Sequence, residues 1–203
     1  MQTPIFNTST QTGDVSSKII VGLERISEAF RVLLWQHAKV TGLSPIQIQI
    51  LIFVAYHVET MCSVSHLALE FNMTKPTISD AIKVLDQKNL IKKQVSEVDK
   101  RAYTISLTPE GEAIVKQTEF FAQPLYDGIA KLPQQEQVSL FSALGKVISG
   151  LNTAGILSVQ RTCFACSFYE KKQKGHYCNL IEKPLTDSKI RLDCNEFKAT
   201  QIG

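Results

Sequence analysis

Residues 64–93, VSHLALEFNMTKPTISDAIKVLDQKNLIKK, carry most of the architectural information in this chain. Ser65 is placed to cap a short helix carrying Leu67, Ala68 and Phe71, because a hydroxyl at a helix start accepts an otherwise orphaned backbone N–H. Asn72-Met73 breaks that helix and Thr74 caps a second one. From Thr74 to Lys88 the residues Ile78, Ala81, Ile82 and Leu85 recur at three and four, which sets them on one inner face and leaves Lys75, Thr77, Ser79, Asp80 and Lys83 outside. Asn89, tolerant of positive φ, ends the helix. Leu90 to Val95 and Ala102 to Leu107 then alternate as two strands joined by the polar tip Ser96 to Arg101. Two short helices across a tight turn, followed by a hairpin, make a helix-turn-helix with a wing, whose second helix is shaped to enter a major groove.

Upstream, apolar residues at Ile19, Leu23, Ile26, Phe30 and Leu33, continuing to His37, form one helical stripe about 20 residues long. That stripe needs a partner, either the body of the protein or a second copy. Gly42 stops it, and Ser44-Pro45-Ile46-Gln47 reads as a capping box that opens a largely buried helix through Ile48, Leu51, Ile52 and Ala55. Downstream, Thr108-Pro109-Glu110-Gly111 caps a helix with Ile114, Val115, Phe121, Leu125 and Ile129, which Pro124 should interrupt near Gln123. Pro133 opens the next, with Val138, Phe141, Leu144, Ile148 and Leu151 on one side, and Gly150 and Gly155 bracket an expected linker. The expected organisation is a disordered leader over 1–13, a main domain over 14–155 with the winged helix-turn-helix at about 44–108, and a cysteine-rich extension over 156–203.

The whole 203-residue chain has a formal net charge of only +3, so any nucleic-acid surface depends on where the cations sit. Between Met73 and Tyr103 there are seven cations and four anions, a local balance of +3. Lys83, Lys92, Lys93 and Lys100 are candidates for phosphate contacts, which position a protein without reading sequence. Thr77 and Ser79 are the better candidates for base edges, being short hydroxyl side chains early in the helix.

The segments LSPIQIQILIF, VSHLALEFNMTKPTISDAIKVLDQKNLI and DKRAYTISLTPEGEAIV together resemble the MarR family of winged helix-turn-helix transcription regulators. The resemblance covers about residues 14–151, and its most specific part is Asp99-x-Arg101 followed by Leu107-Thr108-x-x-Gly111. It implies a homodimer built from the N- and C-terminal helices, with two recognition helices on double-stranded DNA, a palindromic operator. The helix from Lys75 to Lys88 would read base edges and Arg101 would reach the minor groove or its phosphates, with Asp99 orienting that arginine. Asn89 stands where many relatives have glycine and Pro76 sits near the start of the recognition helix, and neither departure breaks the fold.

Five cysteines are present, four of them in the last 41 residues. Cys163 and Cys166 form a C-x2-C pair, followed by Cys178 and Cys194. Four soft ligands suit a tetrahedral metal, and a short tail lacks the apolar mass to fold alone. The spacing is read first as structural zinc, with an iron–sulfur cluster as the alternative and metal-free redox thiols as the remainder. Phe164, Phe168, Tyr169, Tyr177 and Phe197 interleave with the thiols and are placed to shield a site. His176 could replace a cysteine, but beside Lys174 and Tyr177 it reads as a surface residue. Cys62 reads as a packed side chain before a sensing thiol, His37 as an interface or core residue, and His57 and His66 support no special claim.

The expected fold class is mainly α with a small β-hairpin wing, a helical dimerisation region and a small cysteine-rich, metal-binding tail. No nucleophile with a paired base, no glycine-rich phosphate loop and no H-E-x-x-H motif is present, so the chain is read as a regulator and not an enzyme. A polar N-terminus and the lack of an 18-residue apolar run place it in the cytoplasm, away from membrane. Two alternatives stay open: a regulator answering a small-molecule effector in a pocket between the dimer helices and the winged module, with a purely structural tail, and an iron–sulfur electron carrier.

Overall fold

The computed structural model describes residues 4–9, 13–95, 103–159, 161–173 and 175–199. Helix α1 spans Val15–Thr41, capped by Asp14, whose carboxylate accepts from the N–H groups of Ser16 and Ser17, and stopped by Gly42 at φ 65°. Its 27 residues exceed the expected stripe, yet only Ser17, Leu34 and Ala38 are buried. Helix α2, Pro45–Tyr56, begins at the expected capping box, with the Ser44 N–H donating to Gln47 Oε1 at 2.9 Å. It is the core helix: Ile48, Ile50 and Leu51 are fully buried, so polar positions are few.

Helix α3, Val64–Glu70, starts two residues earlier than expected. Ser63, not Ser65, is the cap, its hydroxyl accepting from the His66 N–H at 3.2 Å, while Ser65 lies inside the helix and faces out. Serines at both 63 and 65 satisfy the capping preference, and the side that must bury Leu67 and Ala68 selects between them. Asn72, at φ 50°, makes the turn, and α4, Lys75–Gln87, follows from a Thr74 cap with Ile78, Ala81, Ile82 and Leu85 buried as expected. Asn89, at φ 55°, turns the chain into β1, Ile91–Val95, which pairs antiparallel with β2, Tyr103–Leu107.

Helices α5 (Pro109–Thr118) and α6 (Gln123–Ala130) are separated where Pro124 was expected to interrupt them, and α7 runs over Gln134–Thr153. The expected linker between Gly150 and Gly155 is corrected, since Gly150 lies within α7 and only Gly155, at φ 72°, leaves the helix. The hydroxyl bond of Thr153 to the Ser149 carbonyl helps carry the helix past that glycine. Beyond it, β3 (Tyr169–Lys172), β4 (Gly175–Cys178) and β5 (Lys183–Leu185) form a three-stranded antiparallel meander. The hydrophobic core cluster runs from Leu34 to Val115 and takes no residue from this C-terminal segment. No single described helix is long and apolar enough to cross a membrane.

One node ties the winged module together. Thr108, 1% exposed, donates its hydroxyl to the Asn89 carbonyl at 2.8 Å and accepts from the Gly111 N–H at 3.0 Å. Its own N–H donates to the Leu90 carbonyl at 3.2 Å. The root of the hairpin and the start of α5 are thereby locked to each other, and a Cβ at Gly111 would lie 2.0 Å from that same Leu90 oxygen. This is the physical content of the Leu107-Thr108-x-x-Gly111 motif.

Candidate nucleic-acid interface

On α4 the side chains of Lys75, Thr77, Ser79 and Lys83 are all exposed, because the helix spends its apolar face on the core and has only polar residues left for solvent. Thr74 and Thr77 share a hydroxyl–hydroxyl bond of 2.8 Å at the helix start, so Thr77 is tied to its own cap. Ser79, two residues on and so about 200° around the helix axis from Thr77, is exposed on the other flank of the buried face. The wing separates two lysines that the sequence presents as equivalent. Lys92 pairs with Ser106 and Lys93 with Ile105, which is 1% exposed, so the strand alternation turns Lys93 toward the body. There its ammonium donates to Asp86 on α4 at 2.7 Å and lies 5.5 Å from the Tyr103 ring, whereas Lys92 points the other way; both residues are exposed, and the pairing is what separates them. Asp99, Lys100 and Arg101 lie outside the described residues.

A second cluster lies on the opposite side of the turn, and sequence reading did not find it. Arg161, 6% exposed, receives Asp193 on two nitrogens, Nε to Oδ1 at 2.6 Å and Nη2 to Oδ2 at 3.0 Å. Its Nη1 donates to Glu70 Oε2, at the end of α3, at 2.6 Å. The bidentate bond from Arg161 pulls the Asp193 carboxyl down to about 2, and the two carboxylates push the guanidinium further up. His57, stacked on Phe53 at 3.7 Å between centroids, completes the group through Nε2 to Asp193 at 3.1 Å. His66 packs beside Phe53 with its Nε2 buried and unpaired among the described residues; burial and the Arg161 charge hold it below the ordinary imidazole range. Asn72, the turn residue, donates to the Ile156 carbonyl at 3.3 Å and accepts from the Ser158 hydroxyl at 2.6 Å. The residues around Arg161, Ser158-Val-Gln-Arg-Thr-Cys163, carry no local signal for any of this.

Cys163, Cys166, Cys178 and Cys194 line one small cavity of about 30 Å³, together with Phe168 and Tyr169. All four are free thiols. Burial first, and then its neighbouring sulfurs, push the Cys163 thiol up, against the Arg191 N–H that donates to it. Among the described residues no three His, Cys, Asp or Glu side chains stand close enough to share a metal ion. The surface reading of His176 is corrected: it is half-buried, with Nδ1 on the Tyr169 hydroxyl at 2.6 Å and Nε2 on Asp187 at 3.2 Å. Its ring lines a separate cavity of about 560 Å³ between α7 and the C-terminal segment, beside Phe164 and Tyr169. Cys62, 1% exposed and donating to the Val58 carbonyl, is the packed side chain expected of it.

The MarR family model matches residues 41–102. No curated protein matches the chain in sequence. Among solved structures, the S. aureus MepR–DNA complex is similar at 24% identity and a TM-score of 0.57, covering 64% of this chain and 95% of that one. A MarR transcriptional regulator from Methanosarcina mazei Go1 is similar at 16% identity and a TM-score of 0.57, covering 66% and 97%. The segment that matches the MarR family is thus a winged helix of the fold seen in those proteins.

Proposed function

We propose that the protein is a sequence-specific, DNA-binding transcription regulator that acts as a homodimer on a palindromic duplex. The observation that carries this reading is α4. It is capped, rigidly seated on the core through four buried residues, and presents hydroxyls and lysines outward beside a two-stranded wing. A helix held this way can read base edges from Ser79 and Thr77 while Lys75, Lys83 and Lys92 neutralise phosphate. Asp99, Lys100 and Arg101 at the wing tip complete the set from sequence. The S. aureus relative of the same fold is a DNA complex, which supports the reading.

The homodimer is supported by apolar surface that the monomer leaves uncovered. Helix α1 exposes Ile19, Ile26, Phe30 and Trp35, at 40–56%, and α6 buries no residue at all. A 27-residue helix held at one end by Leu34 and Ala38 needs a second surface along the rest of its length, and a second copy supplies one of matching character. Selection of bound fragments from genomic DNA, with sedimentation at micromolar protein, tests both parts. Enriched palindromes with half-sites about 34 Å apart and a dimer are expected. A monomer that enriches nothing in low salt refutes the reading.

A further inference from the structure

The C-terminal segment has almost no core of its own. Its buried residues are Arg161, Thr162, Cys166 and Ile190 among those described, two of them polar. Something other than apolar mass must hold three short strands and four thiols in place. The thiols converge from distant points: Cys163 and Cys166 flank a 3₁₀ turn, Cys178 ends β4, and Cys194 follows the meander.

Arg191 serves two of them at once. Its backbone N–H donates to Cys163 Sγ at 3.2 Å and its guanidinium to Cys194 Sγ at 3.6 Å. Donors aimed at two sulfurs match thiolates that carry charge, as outer-shell partners of a metal centre do. The size of the gap selects the kind of centre. Four thiolates on one zinc ion, with Zn–S bonds of about 2.3 Å, bring the sulfurs to within about 3.8 Å of one another. Here no three ligand side chains stand close enough to share an ion, and the sulfurs instead surround a space of about 30 Å³ walled by Phe168, Leu180 and Leu185. A cluster in which each iron takes its own thiolate, and inorganic sulfide fills the middle, suits thiols held apart around a void.

We propose that Cys163, Cys166, Cys178 and Cys194 ligate an iron–sulfur cluster, and that the segment folded around it reports the cluster's presence to the helix-turn-helix. The route is on the same side of the molecule. Asp193, next to Cys194, holds Arg161 at 2.6 Å, and Arg161 holds Glu70 at the end of α3 at 2.6 Å. Two residues further on, Asn72 is held by Ile156 and Ser158, on the stretch that leads into the segment. The segment therefore holds the end of α3 and the turn residue that precedes α4. Losing the cluster frees Cys194 and with it Asp193, so the two states of the segment differ in how they hold that turn. The ligation half stands independently, and the reporting half rests on the DNA-binding reading.

The test begins with full-length protein purified without oxygen and analysed for iron, sulfide and zinc. Iron and sulfide in equal amounts with visible absorbance are expected. Stoichiometric zinc without iron overturns the cluster, and absence of all three overturns the site. Cys178→Ser should lose iron and colour while its helical circular dichroism and α1–α7 core persist; Cys62→Ser should keep both. Iron retained in Cys178→Ser overturns the ligand set. For the reporting half, affinity for the selected palindrome is compared before and after an iron chelator. A change of at least about 5-fold is expected, the lower end of typical coupling between sites. That change should shrink in Glu70→Gln, which keeps its iron. An unchanged affinity overturns the reporting and leaves the cluster standing; no binding in either state overturns the regulator reading and the reporting with it, while the iron analysis still decides ligation.

Discussion

Replacing Gly111 by alanine tests whether the wing is fixed by close backbone contact. The new Cβ would sit 2.0 Å from the Leu90 carbonyl oxygen and 3.1 Å from its carbon. Non-bonded heavy atoms settle at about 3.5 Å or more, so the start of α5 must withdraw from the hairpin root by more than about 1 Å. Since the obstacle is backbone, no rotamer change relieves it. The withdrawal also stretches the Thr108 N–H bond to the same oxygen, now 3.2 Å. Overpacking of this kind costs about 1–3 kcal/mol, and the better helix propensity of alanine returns up to about 1 kcal/mol, for a net loss near 2 kcal/mol. In a domain of this size that lowers Tm by about 4–8 °C. Thermal and urea unfolding at fixed protein concentration measure it, and Gly145→Ala is the control. In the interior of α7, a Cβ there meets Phe164 and Leu192 at 3.6 and 3.7 Å, an ordinary contact, so that variant should be neutral or up to about 1 kcal/mol more stable. A Gly111→Ala protein as stable as the parent would refute the contact, and with it the account of the motif. Duplex affinity should fall along with stability, because the wing pivots on that root.

The two wing lysines should separate. Lys92→Ala is expected to lower the salt slope of duplex binding by about 1 with little change in Tm, while Lys93→Ala, which breaks the Asp86 pair, should cost less than about 1 kcal/mol of stability and leave the slope nearer to that of the parent. Identical slopes for both would contradict the strand alternation. Arg101→Ala should weaken duplex binding by about 1–3 kcal/mol, and unchanged affinity would remove that side chain from the interface. His66 should make the fold sensitive to mild acid. Its folded pKa lies below the ordinary 6.5, so the unfolded chain binds the proton more readily. Its share of stability is complete above about pH 6.5 and declines as pH falls through that value. Urea midpoints at pH 7.5 and 5.5 should therefore converge in His66→Leu, and an unaltered pH dependence would exclude the residue.

What could be read from residues in order was whatever neighbours within a few positions determine. Caps and breaks belong here: Thr74 before α4, Asn89 after it, and Gly42 closing α1 at positive φ. So does the face of α4, because the three-and-four spacing of Ile78, Ala81, Ile82 and Leu85 leaves one polar side whatever that helix packs on. Even locally there were ties that sequence alone could not break, as with Ser63 and Ser65, where burial of Leu67 and Ala68 chose the cap. The equivalence of Lys92 and Lys93 failed for a related reason: which lysine faces inward depends on register against Ile105.

Contacts between distant parts of the chain obey no such periodicity. Arg161 meets Glu70 across 91 positions, and His57 meets Asp193 across 136. A charged side chain becomes buried only when its opposite charge arrives from elsewhere, since desolvation without that partner is prohibitive, so nothing in the residues around Arg161 announces its role. The four cysteines lie between these cases. Their residue type names the chemistry and the chain order supplies the spacing, but whether they close on a point or stand around a void depends on how the meander folds back against α7. Sequence by itself thus determined the winged helix and its outward polar face, because local propensity and hydrophobic period suffice for both. Tertiary structure alone decided that the C-terminal segment holds the turn in front of α4, because that grip is made of an ion pair and hydrogen bonds whose partners meet only after folding.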